Sequence, residues 1–281
     1  MFRYNFRLGL RSLRSTPALT GLMVATVALG IGVFMAALTV YHLMATNPIP
    51  HKSDVLFAVQ LDSWDPAEPW DDERPEVPPW ELTYRDAMAL LESDMPTRQI
   101  AMYKTSLVVQ PERPEIKPFL EQGRVTVGDF FAMFDIPFVY GGTWDREADT
   151  NAERVAVISA ELNETLFGGE DSVGRTINLS DKDFRVVGVI ERWNPMPKFY
   201  DPNNGAFEAA EQIFIPAGVG PDLGFFSSGN TNCWKDEQVE SFEDFLGTEC
   251  VWWQYWVELD QPGQRADYQD WLDGYVMSQK E

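Results

Sequence analysis

Residues that carry chemistry are scarce in this chain of 281 residues, which holds two histidines and two cysteines. His42 and His51 stand without clustered ligands, which argues against a zinc centre and against histidine catalysis. Neither cysteine is near a histidine in sequence, and no Gly-x-Ser-x-Gly turn is there to expose a nucleophilic serine. An anchored hydrolase therefore has no group to work with, and no enzymatic role is expected. Negative charge is missing altogether from the first 53 residues, which carry Arg3, Arg7, Arg11, Arg14 and Lys52. Positive charge is thin in the remainder, 17 bases against 44 acids, a net of −27. So acidic a surface repels phosphate backbones and excludes nucleic acid as a partner. Its plain reading is solubility, and its functional reading is attraction for cationic molecules.

What the chain does have, near its start, is an apolar run with no charged residue between Ala18 and Tyr41. A helix rises about 1.5 Å per residue across a hydrocarbon core about 30 Å thick, so roughly twenty such residues span a bilayer. Arginine and lysine are retained on the cytoplasmic side, which puts the N-terminus inside and the bulk of the chain outside. A secretion signal has the same outline, but its apolar core is typically about 7–15 residues. This run is longer, and the cleavage position around Leu43 to Ala45 lacks a small residue at its first place. The expected organisation is a cytoplasmic amphipathic foot over 1–17, a membrane helix over 18–42 and an extracytoplasmic domain over 43–281. In the foot, Phe2, Phe6, Leu10 and Leu13 gather beside Arg3, Arg7, Arg11 and Arg14 at the helical turn angle, as in a helix lying at the membrane surface. In the span, Ala28, Gly32 and Ala36 recur every fourth residue, with Thr26 and Gly30 as a second small pair, so another helix can approach closely.

The remainder predicts an α+β fold. Asn47-Pro48-Ile49-Pro50 breaks the helix, and strands are expected at Val55–Leu61, Ile100–Gln110, Val155–Ile158, Phe184–Ile190, Ile213–Pro216 and Val251–Leu259. Helices fit Thr83–Leu91, Val127–Phe134 with Thr126 as cap and Asp129 at the third position, and Glu161–Phe167 closed by Gly168-Gly169. On the last strand both the Trp252, Gln254, Trp256 side and the Trp253, Tyr255, Val257 side are expected to be covered. Asp62–Pro79 and Phe225–Gly247 are expected as loop and polar excursion, and no fixed-period repeat is present.

Three apparent sites dissolve on inspection. Gly169-Glu170-Asp171-Ser172-Val173-Gly174-Arg175-Thr176 has phosphate-loop spacing, but a helix precedes it and a strand follows, the reverse of the order an anion-binding loop needs, so it is a turn. The acidic loop from Asp62 to Glu76 lacks the spaced ligands and central glycine of a calcium loop. Trp64, Trp70 and Trp80 with Trp252, Trp253 and Trp256 offer an aromatic surface for an amphipathic cation, core packing being the default for the last three. Cys233 and Cys250 are expected to form a disulfide if this face is oxidising, two free buried thiols being the alternative.

Several stretches share a family pattern. They are Leu10-Arg11-Ser12-Leu13-Arg14 through Ala28-Leu29-Gly30-Ile31-Gly32, and Val127-Gly128-Asp129-Phe130-Phe131 followed by Tyr140-Gly141-Gly142-Thr143-Trp144. The most specific is an ordered series: Val155-Ala156-Val157-Ile158-Ser159, Leu166-Phe167-Gly168-Gly169, Ser172-Val173-Gly174-Arg175-Thr176-Ile177, then Phe184-Arg185-Val186-Val187-Gly188-Val189-Ile190. Together they resemble the MacB/FtsX-like permease subunits of bacterial ABC transporters, most strongly from Gly123 to Ile190. The resemblance implies a non-catalytic permease in the inner membrane, with no cofactor of its own. Its periplasmic core domain moves when a separate cytoplasmic ATPase closes on nucleotide, beside a second permease subunit, alike or different, and in some relatives a periplasmic adaptor protein. Such permeases carry three further membrane helices after this domain, whereas this sequence stops at Lys280-Glu281, so a fragment is expected. Relatives serve export of small toxic molecules, lipoprotein release or control of cell-wall hydrolases. A single-span sensor or adaptor binding a periplasmic ligand or protein is the alternative the same topology allows.

Overall fold

The computed structural model describes residue 4 and residues 14–45 and 47–279. The chain divides into two compact units, Met1–Pro48 and Ile49–Glu281. In the first, α1 (Pro17–Ala45) is a single helix of 29 residues. Its Pro17–His42 stretch is long and apolar enough to cross a membrane. The hydroxyls of Thr26 and Thr39 donate to the carbonyls of Leu22 and Met35, both at 2.8 Å, so neither is left bare on an apolar rod. Ala28, Gly32 and Ala36 are exposed along it. Arg14 is exposed too, while Arg3, Arg7 and Arg11, and with them most of the expected foot, lie outside the described residues.

The second unit is built on a ten-stranded mixed sheet. Its strands are β1 (Leu56–Ala58), β2 (Leu82–Thr83), β3 (Arg98–Gln110), β4 (Phe119–Thr126), β5 (Phe138–Gly141), β6 (Val155–Ser159), β7 (Thr176–Leu179), β8 (Lys182–Ile190), β9 (Ile213–Pro216) and β10 (Val251–Glu258). The pairings run β1-β10-β3-β4-β9-β6-β8-β5, with β4–β9 and β6–β8 parallel. β7 pairs with both β8 and the end of β3, so β3, β4, β9, β6, β8 and β7 close a ring of hydrogen-bonded strands. Closure of this kind removes edges that would otherwise be open to another chain. β3 serves two partners along one edge, β10 at its start and β7 at its end.

Short helices fill the connections: α2 (Tyr84–Leu91), α3 (Phe130–Met133), α4 (Arg146–Thr150), α5 (Ala160–Phe167), α6 (Val219–Leu223), α7 (Phe242–Leu246) and α8 (Gln264–Gln279). Thr83 caps α2 by accepting from the amide of Asp86, and Ser159 caps α5 by accepting from that of Leu162. Gly168 ends α5 at φ 71°, the left-handed conformation that glycine takes without penalty. The turn with phosphate-loop spacing does lie between α5 and β7. Gly188 on β8 lies against β5 so closely that a Cβ there would stand 2.2 Å from the carbonyl oxygen of Gly142.

The helix expected over Val127–Phe134 is corrected. Thr126 is the last residue of β4 and not a cap, Val127 to Asp129 form a turn closed by the Phe130 amide on the Val127 carbonyl, and only Phe130–Met133 are helical. Sheet pairing to Met102 and Pro216 holds Thr126 extended, and that outweighs its capping preference. β2, β4, β5, β7, α4, α6, α7 and α8 are elements the sequence pattern does not announce, and α7 lies within Phe225–Gly247, the stretch expected as a polar excursion. The first strand is shorter than expected, Leu56–Ala58.

Candidate functional site

The sheet domain starts with a tight clamp. Pro50–Lys52 make one 3-10 turn that delivers Lys52 into the domain, its side chain 13% exposed. The Lys52 ammonium donates to the carbonyls of Ala132 (2.8 Å) and Met133 (2.9 Å) at the end of α3, and pairs with Asp135 at 2.8 Å and Glu258 at 3.7 Å. Backbone carbonyls at a helix end favour a cation there. His51 Nε2 donates to the other oxygen of Asp135 at 2.6 Å. Burial pushes the Asp135 carboxyl up, but the bonds from Lys52 and His51 outweigh it and hold it below the usual range. Glu258, on β10, also takes Arg98 of β3 at 2.7 Å. The charges thus alternate, Asp135, Lys52, Glu258, Arg98, and bind the first residues of the domain to α3, β10 and β3 at once.

Beside the clamp lies a cleft of about 510 Å³ between α2, α3 and α4, with Met88, Leu91, Val127, Ala132, Trp144 and Asp149 among its lining. Asp149 is a structural pin: it accepts from the Trp144 indole (2.7 Å) and from the amides of Gly128 (3.1 Å) and Ala217 (3.3 Å). Burial raises its carboxyl to about 6 against those donors. Among the described residues no group of three or more His, Cys, Asp and Glu is placed to hold a metal ion.

A second constellation lies inside the fold. Arg124, on β4, is fully buried, donating to Asp201 at 2.5 Å and Glu211 at 2.6 Å, with its guanidinium 5.0 Å from the Tyr200 ring. Lys198 (3.1 Å) and the Tyr200 hydroxyl (2.7 Å) also donate to Glu211. Burial pushes Glu211 up, yet Arg124, Lys198 and Tyr200 prevail and hold it at about 2. Sequence reasoning missed this network. Its one signal was an arginine amid otherwise small and apolar residues, Gly123-Arg124-Val125.

The Cys233 and Cys250 sulfurs are joined, with Cα atoms 4.2 Å apart and a sequence separation of 17. The neighbouring Asn232 and Val251 exchange backbone hydrogen bonds of 3.0 and 2.8 Å. A loop of that length predicts that reduction lowers the unfolding free energy by about 3 kcal/mol. Denaturant titrations with and without reductant check this, and unchanged midpoints would refute it. The six tryptophans do not make one aromatic surface. Trp252 and Trp253 are buried against Tyr103, at ring distances of 4.7 and 4.6 Å, whereas Trp64 and Trp70 meet edge to face at 4.6 Å.

The family described as MacB-like periplasmic core domain matches residues 20–273. The chain belongs to that family. The periplasmic region of MacB from Actinobacillus actinomycetemcomitans superposes on 82% of this chain and 88% of its own length, at 11% identity and a TM-score of 0.51. The extracellular domain of the noncanonic ABC-type transporter YknZ from Gram-positive bacteria aligns over 76% of this chain and 86% of its own, at 14% identity and a TM-score of 0.44. No curated protein matches the chain. The MacB-like core domain is the periplasmic domain type of ABC transporter permeases. In this member the clamp, the cleft and the buried network all fall within the matched residues.

Proposed function

We propose that this chain is a permease component of a bacterial ABC transporter, anchored by α1 with its N-terminus in the cytoplasm, and that its sheet domain passes on motion driven by an ATPase on a separate chain. The family match over residues 20–273 carries the reading. The arginine-rich, acid-free start supports the orientation, since basic residues stay on the cytoplasmic side. A Cys233–Cys250 bond suits an oxidising compartment such as the periplasm. Ala28, Gly32 and Ala36 would take a neighbouring membrane helix, from this or a second permease subunit. Lys52 lies ten residues past His42 in sequence, so a pull along the intervening segment reaches the sheet domain first at the clamp. There it meets a half-buried ammonium with four oxygen partners, a firm point of attachment.

Affinity purification of the full-length gene product from cross-linked native membranes should bring with it an ATP-hydrolysing subunit, and its absence would overturn the reading. In that complex, Lys52→Ala should leave basal ATP turnover within about twofold. It should also reduce by at least half the ATP-dependent distance change between a fluorophore on the sheet domain and one on the membrane helix. A full-sized change in the variant would refute the clamp's role. Impermeant labelling of intact cells should reach the sheet domain, and labelling only after lysis would reverse the orientation.

A further inference from the structure

Outside the closed ring the sheet ends in β1 on one side and β5 on the other, and the two outer edges are finished differently. β5 is blunted: Pro137 precedes it, and its register on β8 slips between Phe138 and Tyr140 as at a bulge. β1 has no such device. It pairs with β10 in unbroken register, Leu56 on Glu258, Phe57 on Val257 and Ala58 on Trp256, and among the described residues no strand pairs with its other side. The ladder continues past both ends, the Leu259 amide donating to Val55 at 2.8 Å and the Val59 amide to Tyr255 at 2.9 Å. Such bonds fall on every second residue of an antiparallel strand, so the N–H and C=O groups of Leu56, Ala58 and Gln60 point away from β10. Among the described residues those outward groups have no backbone partner, and no proline or charged side chain guards Leu56–Gln60.

A groove of about 730 Å³ runs beside this edge, with α8 as its other wall. The walls match in length: Phe57 to Asp62 extends about 16 Å at the rise of a strand, and Arg265 to Met277 about 18 Å at the rise of a helix. The space is therefore a channel along the strand. Val59, Leu61, Leu259 and Leu272 are buried and form its floor, while Met277 on the α8 wall is left 66% exposed. Gln60 Nε2 donates to the carbonyls of Pro78 (3.4 Å) and Pro79 (3.3 Å), which closes the Asp62 end. The one base of the lining, Arg265, lies over the Phe57 ring at 4.9 Å. Asp62 and Asp273 also line the groove, and among the described residues no cation pairs with either.

We propose that β1 and α8 form a docking site for an extended segment of another protein, alternately apolar and basic, which joins the sheet as a strand outside β1. The edge supplies main-chain hydrogen bonds, and the twofold period of a strand turns every second side chain of the incoming segment toward α8. Those side chains are apolar and cover Val276 and Met277. Lysine or arginine at the remaining positions is drawn by Asp62, by the exposed Asp273 and by a domain that holds 17 bases against 44 acids beyond residue 53. A second copy of this chain would bring the same acids to the edge, so it is repelled where a basic strand is attracted. The inference goes beyond the permease reading and does not depend on it.

A capped, fluorescently labelled peptide of alternating valine and lysine, titrated against the full chain in neutral detergent, is the probe. Anisotropy should show saturable binding, and hydrogen exchange of the amides over 55–61 should slow at least tenfold at saturation. Two further peptides carry methyl groups on alternate backbone nitrogens, one in each frame; the frame that faces the edge should bind at least tenfold less tightly, and so should a peptide with glutamate in place of lysine. Ala58→Pro removes one outward N–H and leaves the bonds to β10 in place, so it should weaken the lysine peptide by a similar factor. Asp273→Lys, at an exposed position, reads the charge without touching the strand: it should weaken the lysine peptide and strengthen the glutamate one. No binding, parent affinity in both methylated peptides, unchanged exchange over 55–61, or an Asp273→Lys protein with the wild-type preference would overturn the proposal. Exchange over 55–61 that slows with protein concentration in the absence of peptide would assign the edge to a second copy and overturn it as well.

Discussion

Replacing Arg124 by methionine is expected to lower the unfolding free energy at pH 7 by roughly 3–5 kcal/mol. The guanidinium is the common partner of Asp201 and Glu211, both fully buried. Without it, Asp201 keeps only the Asn204 amide and Glu211 keeps Lys198 and Tyr200, so negative charge is left in the interior. The pH dependence has a definite sign. Glu211 is held at about 2 in the folded wild type against an ordinary 4.5, so its share of stability is present above 4.5 and fades as pH falls toward 2. In the variant that share shrinks, and the gap to wild type should narrow as the solution is acidified. Denaturant titrations of the full chain at pH 7 and pH 4 check both statements. A loss under about 1 kcal/mol at pH 7 would mean that the network is not a stabilising unit. Replacing Arg124 and Asp201 together by apolar residues should recover part of the loss, because Glu211 keeps Lys198 and Tyr200 as partners and no acid is left without a donor.

Phe130→Ala should cost a similar amount, roughly 3–5 kcal/mol. The ring is fully buried, with Phe134 at 5.1 Å, Phe214 at 5.3 Å, Phe131 at 5.6 Å, Tyr200 at 5.7 Å and Trp193 at 5.9 Å. Five aromatic neighbours cannot all close on the void, so most of the cavity persists. Phe130 also opens α3, the four-residue helix whose final carbonyls hold Lys52, so the defect reaches the clamp. Phe226, 58% exposed, is the control, and its change to alanine should stay within about 0.5 kcal/mol. Equal losses at the two positions would show that the aromatic cluster is not the core.

The parts legible in the sequence are those where local preference and tertiary demand agree. Gly168 and the apolar runs Val155–Ile158 and Ile213–Pro216 behave as their own chemistry dictates, and all lie where the pattern places them. β4 was hidden because Phe119 to Thr126 does not alternate: Arg124 occupies an interior position that a periodicity reading assigns to solvent. Only its distant partners, 77 and 87 residues away, make that placement tolerable. α8 was hidden for a different reason. Tyr268 and Leu272 form its buried stripe, but Asp267, Asp270, Asp273 and Gly274 dilute the apolar signal around them. The clamp was half legible: His51 and Lys52 stand out after the proline break, while Asp135 and Glu258, 84 and 206 positions on from them, acquire meaning only in the folded chain.

β3 gives the domain a mechanical property. Its 13 residues, at roughly 3.3 Å each, extend about 43 Å. One end carries Arg98, joined through Glu258 to Lys52, and the other carries Gln110, laced to β7. Since β4 pairs with it from Met102 to Val109 and β7 fastens its far end, β3 could not tilt by itself: a displacement imposed at Arg98 would have to carry the whole ring as one body.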